Sequence, residues 1–225
     1  MRYIIFLCLL VCMLSHNGKA QKTGRYLPGA GTTFIRANPA GLLDFYDHNL
    51  SFGIEHRLSE YWAMSVDAAW IFASQYARNQ GKATGFVIRP AVRRYFGRSR
   101  KLFAEAELHY KEVYYRIEDW IGRDCVNDVP AYEEYTSFRF RKQVAGLHIK
   151  GGIQFPISRN RRFWMEAYTG LGVHYRKQGL YKEKPNSCYD LLNNGLAVGP
   201  EIRESEQWLP ALPLGFRIMY RISRK

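Results

Sequence analysis

Ionisable side chains recur at alternate positions through much of the chain, a spacing that gathers charge on one face of a β-strand. Arg89 and Arg93 form one such pair, and Glu105 and Glu107 form the next along the sequence. If their strands are neighbours, opposite charges meet across them and can form ion pairs. We predict a structural ionic cluster of these residues: Arg89, Arg93, Glu105, Glu107, His109, Glu166 and Arg217. The same alternating face also carries Glu55, Asp67, Lys111, His148, His174, Arg176 and Arg221.

Catalytic groups are sparse in this sequence. The segment HNLS places His48 near Ser51, with Asp44 and Asp47 close by, and these are the residue types of a serine hydrolase. Their spacing forms no defined motif, so no catalytic residue is assigned. Three histidines and several acids on the charged faces could bind a metal, but their spacing fits neither zinc nor calcium sites. The sequence therefore predicts no enzyme, no metal site and no cofactor.

Strands with two different faces must position these side chains. In residues 48–58, Leu50, Phe52 and Ile54 alternate with Ser51 and Glu55. The same period of two indicates strands at the following segments: 32–38 (weaker), 48–58, 62–74, 84–96, 102–117, 138–155, 163–177 and 211–222. Most of these segments reach the 9–11 residues that a tilted strand needs to cross a bilayer, whereas strands of globular proteins are usually shorter.

The predicted connections alternate between long and short. Short turns lie at 58–61, 97–101 and 156–162, and longer connections at 39–47, 75–83, 118–137 and 178–210. Outer-membrane barrels have short periplasmic turns, long external loops and aromatic girdles at both interfaces. Aromatic residues do cluster near both ends of these strands. The pattern predicts an all-β fold, an eight-stranded antiparallel up-and-down transmembrane β-barrel with its apolar faces toward lipid.

The first 20 residues have the form of a secretory signal peptide. A basic start is followed by an apolar run from Ile4 to Leu14, and Gly18-Lys19-Ala20 supplies a small-x-small cleavage site. We therefore expect residues 1–20 to be removed and residues 21–225 to form one outer-membrane β-barrel domain. An alternative is a lipoprotein anchored at Cys8 or Cys12. The two remaining cysteines, Cys125 and Cys188, could form a disulfide or stay free, and the sequence leaves both open.

Charge is distributed unevenly among the connections. The short turns GRSRK and SRNRR are basic, whereas segment 118–137 carries six acidic residues against Arg123. The formal net charge of the chain is +13, but its basic residues are spread over turns and strand faces rather than gathered in one patch. We therefore expect no nucleic-acid partner. The expected partners are outer-membrane lipid, lipopolysaccharide and a surface protein bound by the external loops, and the protein is expected to be a monomer.

Two stretches resemble small outer-membrane β-barrel proteins of Gram-negative bacteria, in the manner of the transmembrane barrel of OmpA. They are NPAGLLDFYDHNLSFGIEHRLSEYWAMSVDAAW (38–70) and RPAVRRYFG (89–97). More narrowly, Pro90, Arg93 and Tyr95 are similar to a strand motif in a family of such barrels defined only as a domain of unknown function. The resemblance implies location in the cell outer membrane and no established activity. The chain departs from many such barrels by ending on Lys225 rather than on an aromatic residue.

The functional prediction is a non-enzymatic outer-membrane barrel with a plugged polar lumen, whose surface loops serve envelope interaction or support a surface assembly. Two alternatives remain open. A soluble exported barrel could bind an apolar ligand in the lipocalin manner, with the apolar faces turned inward. An outer-membrane lipid hydrolase would need a nucleophile and a base that the sequence does not identify.

Overall fold

A computed structural model describes residues 28–43, 47–74, 82–127, 129–189 and 204–222. The predicted signal peptide, residues 1–20, lies outside the described residues, as does Asp44. Within the described ranges, no helix is long and apolar enough to span a membrane. The described structure is almost entirely β-strand, so the prediction of an all-β fold is confirmed.

Nine strands and one short 3-10 helix, Pro39–Leu43, make up the described part of the chain. The strands are β1 Thr33–Asn38, β2 Asp47–Arg57, β3 Trp62–Ser74, β4 Ala83–Phe96, β5 Leu102–Arg123, β6 Tyr132–Pro156, β7 Phe163–Leu180, β8 Ser205–Ala211 and β9 Leu214–Arg221. The bounds of β3 coincide with those predicted from the alternation. The ends of β1, β2 and β4 differ from the prediction by at most one residue, whereas β5, β6, β7 and the last strand each differ by more at one end.

The strands form one antiparallel sheet whose hydrogen-bonded pairing returns to its start. Each strand from β1 to β7 pairs with its neighbour in sequence, as the prediction of an up-and-down order requires. Strand β9 then pairs with both β7 and β1, which closes the ring. The ring gives every strand an inner and an outer face, so alternate side chains enter two different environments.

Strands β8 and β9 together occupy the place of the eighth predicted strand. Ala211 of β8 lies opposite Gly172 of β7, and Leu214 of β9 lies opposite Thr169. The register therefore continues unchanged across the break at residues 212–213. Pro213 lies in this break, and proline has no backbone N–H to donate to a ladder. The predicted strand 211–222 is thus wrong at its start, since pairing with β7 begins at Ser205.

Strands β5 and β6 extend well beyond the ring. Pairing of β4 with β5 ends at Ala83 opposite Tyr115, but β5 continues to pair with β6 up to Arg123 opposite Tyr132. Segment 118–137, predicted as an external loop, is therefore mostly a two-stranded ribbon. Its turn is confined to residues 124–131. At about 3.3 Å per residue, the ribbon projects roughly 25 Å past the last β4 pair.

Residues 181–189 pack against this ribbon, and we call residues 116–139 with 181–189 the outer extension. Cys125 and Cys188 form a disulfide, and Cys188 also makes an isolated bridge with Gly122. The Tyr189 ring packs on Phe138, and its hydroxyl donates to the Asp119 carboxylate at 2.8 Å. Burial, together with this bond, raises the pKa of Tyr189 above its usual value. The extension thus has covalent, aromatic and polar links between its two segments.

Reduction of the disulfide should loosen residues 181–189 while leaving the ring intact. The bridge spans 63 residues, and in the chain-entropy model a loop of that length is worth about 4 kcal/mol. We expect trypsin to cut after Lys182 much faster once the bridge is reduced, as followed by mass spectrometry. A C125S/C188S variant should be cut fast with or without reductant. Equal cleavage of oxidised and reduced wild type would contradict this role for the bridge.

Candidate functional site

The polar and apolar faces of the ring are reversed relative to a soluble globular protein. Glu107 of β5 is 1% exposed, whereas the next residue, Leu108, is 60% exposed. The same reversal recurs on neighbouring strands. Exposed apolar side chains form what we call the apolar belt: Leu50, Phe52, Ile54, Met64, Val66, Trp70, Phe86, Ile88, Val92, Leu108, Leu147, Ile149, Leu171, Val173, Phe216 and Ile218. Because alternate residues point to opposite faces, the buried charges occupy the interior of the ring.

A connected set of buried ionic side chains lies at the centre of the interior, and we call it the ionic network. Every strand that closes the ring contributes to it. Its members are Arg36, Glu55, Arg57, Asp67, Arg93, Glu105, Glu107, Lys150, Glu166 and Arg217. These described side chains comprise five cations and five carboxylates, so their formal charges sum to zero. All are buried, and buried charges require such pairing because an unpaired one costs several kcal/mol.

Arg93 holds the middle of the ionic network. Its guanidinium donates two parallel hydrogen bonds to Glu166, at 2.6 and 3.0 Å, and its Nε donates to Glu105 at 2.8 Å. Its Nη1 also lies 3.0 Å from a Glu55 carboxylate oxygen. The planar fork of arginine suits such bidentate contacts, which are among the stronger hydrogen bonds in proteins. One side chain from β4 thereby links β2, β5 and β7 across the ring.

Arg217 and Arg36 complete the connections between the first and last strands. Arg217 of β9 donates to Glu166 at 2.7 Å and to Glu105 at 3.1 Å. Arg36 of β1 donates two hydrogen bonds to Asp67, at 2.6 and 3.1 Å, and one to Glu55, at 3.2 Å. Lys150 of β6 pairs with Glu107. The ionic network therefore ties the closing strands β1 and β9 to strands on the opposite side of the ring.

Layers of other side chains lie on both sides of the ionic network. Toward the short turns, Phe34, Trp164 and Met219 form one buried apolar cluster, and Tyr95, Phe103 and Tyr168 belong to a second. Toward the outer extension, Asp47 pairs with Lys111 at 2.5 Å and with Lys142 at 3.5 Å. Beyond them a larger apolar cluster includes the following residues: Ile71, Val113, Tyr115, Ile117, Ile121, Phe138, Phe140 and Tyr189. The interior is thus filled in successive polar and apolar layers.

The structure brings most of the predicted cluster together. Arg93, Glu105, Glu107, Glu166 and Arg217 belong to the ionic network, and Arg93 lies directly opposite Glu105 in the β4–β5 register. The remaining two members lie closer to the outer extension. Arg89 donates to Ser51 at 2.6 Å. His109 packs against two other histidines, His148 and His174.

Sequence reasoning missed Arg36 and did not place Arg57 or Lys150 in the cluster. Arg36 lies in a six-residue strand that gives little alternation to analyse. Alternation with Ile149 places Lys150 on the charged face of its strand. Its pairing with Glu107, however, depends on the register between β5 and β6. The serine-hydrolase residue types are engaged elsewhere: His48 Nδ1 lies 3.1 Å from the Leu42 carbonyl oxygen, and Ser51 accepts from Arg89.

The fold and its interior define the class as an all-β protein with a closed antiparallel ring, an ionic interior and an apolar exterior. Residues 5–200 match the family DUF3575, described as a protein of unknown function, and the chain belongs to this family. The match ends before β8 and β9. No curated protein and no solved structure matches the chain. The family description carries neither a fold nor an activity, so the function must be argued from the residues.

Replacing Arg93 by methionine should destabilise the fold strongly, because three buried carboxylates lose their shared partner. Removing one member of a buried pair costs about 3–5 kcal/mol. The matched control is Arg94→Met, which makes the same change at the next residue, where the exposed guanidinium lies 5.5 Å from the Trp62 ring centre. That contact is worth about 0.5–1 kcal/mol at an exposed site.

Equilibrium urea unfolding, followed by tryptophan fluorescence, compares the two variants. The free energy of unfolding should fall by several kcal/mol for Arg93→Met and by less than about 1 kcal/mol for Arg94→Met. Adding Glu166→Gln to Arg93→Met should restore part of the loss, since it removes one uncompensated charge. Equal effects of the two single substitutions would mean that the ionic network does not stabilise the ring.

Proposed function

We propose that the protein is an outer-membrane protein whose ring is an eight-stranded transmembrane β-barrel, with β8 and β9 as one interrupted strand. The observation that carries the proposal is the reversal of faces, with the ionic network inside and the apolar belt outside. An apolar surface that runs around the outside of a ring of strands is stable in contact with lipid and unfavourable in contact with water. A closed ring also leaves few backbone groups unpaired, which the hydrocarbon core requires.

The lengths of the strands support this placement. Strands β2, β3 and β4 have 11, 13 and 14 residues, enough to cross the hydrocarbon core at a tilt, which takes about 9–11. Strands β5 and β6, with 22 and 25 residues, are too long to end at the membrane surface. The outer extension then stands in the aqueous phase. Its disulfide suits an oxidising compartment outside the cytoplasm.

The packed interior supports a plugged barrel rather than a channel. An eight-stranded barrel is just wide enough for side chains to fill it, and here the filling side chains are the ionic network and its flanking apolar layers. Side chains such as Arg93, Glu55 and Glu166 are fully buried. We therefore assign the lumen a structural role and assign the protein no catalytic activity.

We propose that the outer extension interacts with partners outside the cell. It projects past the apolar belt, is held by the Cys125–Cys188 disulfide and carries exposed Trp120, Tyr132 and Tyr135. Acidic residues of the ribbon lie next to these aromatic residues in the sequence: Asp119, Glu133 and Glu134. Aromatic side chains in a polar rim are typical of protein interfaces. The proposed partner is a surface protein or assembly, and the apolar belt contacts outer-membrane lipid and lipopolysaccharide.

The lipocalin-like alternative needs the opposite arrangement of faces. A carrier of an apolar ligand lines its interior with apolar side chains and exposes polar ones to water. Here the middle of the interior holds paired arginines and carboxylates, while Phe52, Leu108 and Ile149 point outward. The distribution favours the membrane protein over the soluble carrier.

Fractionation of cells that express the protein tests the proposal. We expect it in the membrane fraction, insoluble in Sarkosyl, and running faster on SDS gels when unboiled, because an intact barrel resists SDS at room temperature. The Arg93→Met variant should show a smaller unboiled fast-running fraction than Arg94→Met. Recovery of wild type as soluble periplasmic protein, with no mobility shift on boiling, would overturn the proposal.

A further inference from the structure

Three histidines meet inside the ring, on the side of the ionic network that faces the outer extension. His109, His148 and His174 lie on the adjacent strands β5, β6 and β7. One nitrogen of each ring lies within 4.8 Å of those of the other two. The ring centroids are 4.8–5.2 Å apart. Their sequence spacing gave no metal-site motif, because strand pairing rather than local sequence brings them together.

Glycines on the paired strands make room for these rings. Gly146 lies opposite both His109 and His174, and Gly172 lies opposite His148. A Cβ at Gly146 would lie 2.3 Å from Cδ2 of His174, and a Cβ at Gly172 would lie 2.3 Å from Cδ2 of His148. Each Cβ would also lie 2.6 Å from a backbone carbonyl oxygen of the paired strand. Glycine at these positions therefore lets both the strands and the imidazole rings approach closely.

Hydrogen bonds orient two of the three rings. His148 Nδ1 lies 3.0 Å from Glu107 Oε1, and a carboxylate accepts, so this nitrogen carries the proton. The Nε2 atoms of His148 and His174 are 2.6 Å apart, so the N–H of His174 donates to the lone pair of His148. A carboxylate–histidine pair of this kind fixes the ring nitrogen that faces a metal in many metal sites. Glu107 would hold His148 in that way.

His109 supplies the observation that a hydrogen-bonded histidine cluster does not explain. Its Nδ1 is buried and has no hydrogen-bond partner among the described residues. A buried nitrogen without a partner costs about 1–3 kcal/mol. A third ligand aimed at a shared ion would remove that cost. His109 and His174 are also only partly buried, so their rings are not fully enclosed by protein atoms.

We propose that His109, His148 and His174 bind one divalent transition-metal ion of the kind that prefers imidazole, such as Zn²⁺. Zn–N bonds of about 2.0–2.1 Å in a tetrahedral site place two ligand nitrogens about 3.3 Å apart. The observed separations bracket that value, so side-chain rotations bring the nitrogens into place. Three imidazoles favour zinc, copper or nickel over magnesium or calcium, which prefer oxygen ligands. The bound ion joins β5, β6 and β7 inside the ring.

Carboxylates lie beside the three histidines. Glu107 Oε1 lies 3.0 Å from His148 Nδ1, and Asp47 pairs with Lys111 and Lys142. The carboxylates offset part of the repulsion that a divalent ion would meet from these cations.

The test uses the mature protein, purified without a histidine tag, refolded in detergent and stripped of metal with a chelator. Zn²⁺ is titrated in competition with a chromophoric chelator, and Co²⁺ binding is followed by its visible absorption. We expect one Zn²⁺ per chain and the absorption of a four-coordinate Co²⁺ ion. His109→Gln, His148→Gln and His174→Gln should each weaken Zn²⁺ binding at least tenfold, the lower end of the effect of losing even an outer-shell partner.

His109→Gln separates metal binding from folding, because its Nδ1 makes no hydrogen bond that the metal-free fold would lose. Without metal, its urea midpoint should lie close to that of wild type, since the loss of the ring contacts opposes the removal of an unpaired buried nitrogen. Added Zn²⁺ should raise the midpoint of wild type but not that of the variant. The control His56→Gln changes an exposed histidine that pairs with Thr33 and should bind Zn²⁺ as wild type does. The proposal is overturned if wild type binds no stoichiometric Zn²⁺, or if His109→Gln binds it equally well.

Discussion

Burial of paired charge inside the ring is the constraint on which the rest of the structure depends. Arg93 contacts carboxylates from three other strands, and Arg36 and Arg217 bring in the strands that close the ring. A carboxylate left without its guanidinium would be costly, so each strand must keep the register that supplies its partner. A slip of one residue would turn the charge outward and an apolar side chain inward. The ionic network thereby favours one order and one register of the strands.

The exterior follows from the same alternation. Residues between the inward-facing positions face outward, and the large apolar ones among them form the apolar belt. Beyond the belt the pattern changes, because β5 and β6 continue as a ribbon with acidic and aromatic side chains on its surface. That ribbon gains support from the Cys125–Cys188 disulfide and from Tyr189 rather than from neighbouring strands of the ring. The molecule thus has a ring stabilised by internal charge and an outer extension stabilised by a covalent link.

Much of the ring could be predicted from the sequence because a period of two is a local property. Leu50, Phe52 and Ile54 point outward, and Glu105 and Glu107 point inward, as alternation alone requires. The ribbon was missed because residues 118–123 and 132–137 have no continuous apolar face and so resemble a loop. The break between β8 and β9 was missed because Leu212, Leu214 and Phe216 keep the alternation through Pro213.

The site was less predictable than the fold, because it depends on strands that are distant in sequence. Arg93 opposite Glu105 could be inferred from neighbouring segments. The contact of Arg93 with Glu166 crosses the ring, and that of Arg36 with Asp67 spans β2 at Gly53, so no local pattern encodes either contact. The proximity of the three histidines could not be predicted for the same reason. His109 and His174 are brought close by Gly146, which lies on a third strand between them.

The central claim is that the apolar belt faces lipid, and the accessibility of spin labels measures this directly. Single cysteines at Leu108 and Ile149 of the belt, and at Tyr135 of the outer extension, would each carry a nitroxide in reconstituted vesicles. Collision with oxygen should dominate at residues 108 and 149, and collision with a water-soluble nickel chelate should dominate at residue 135. If the belt labels met the nickel chelate as often as the label at residue 135, the belt would face water and the account would be wrong.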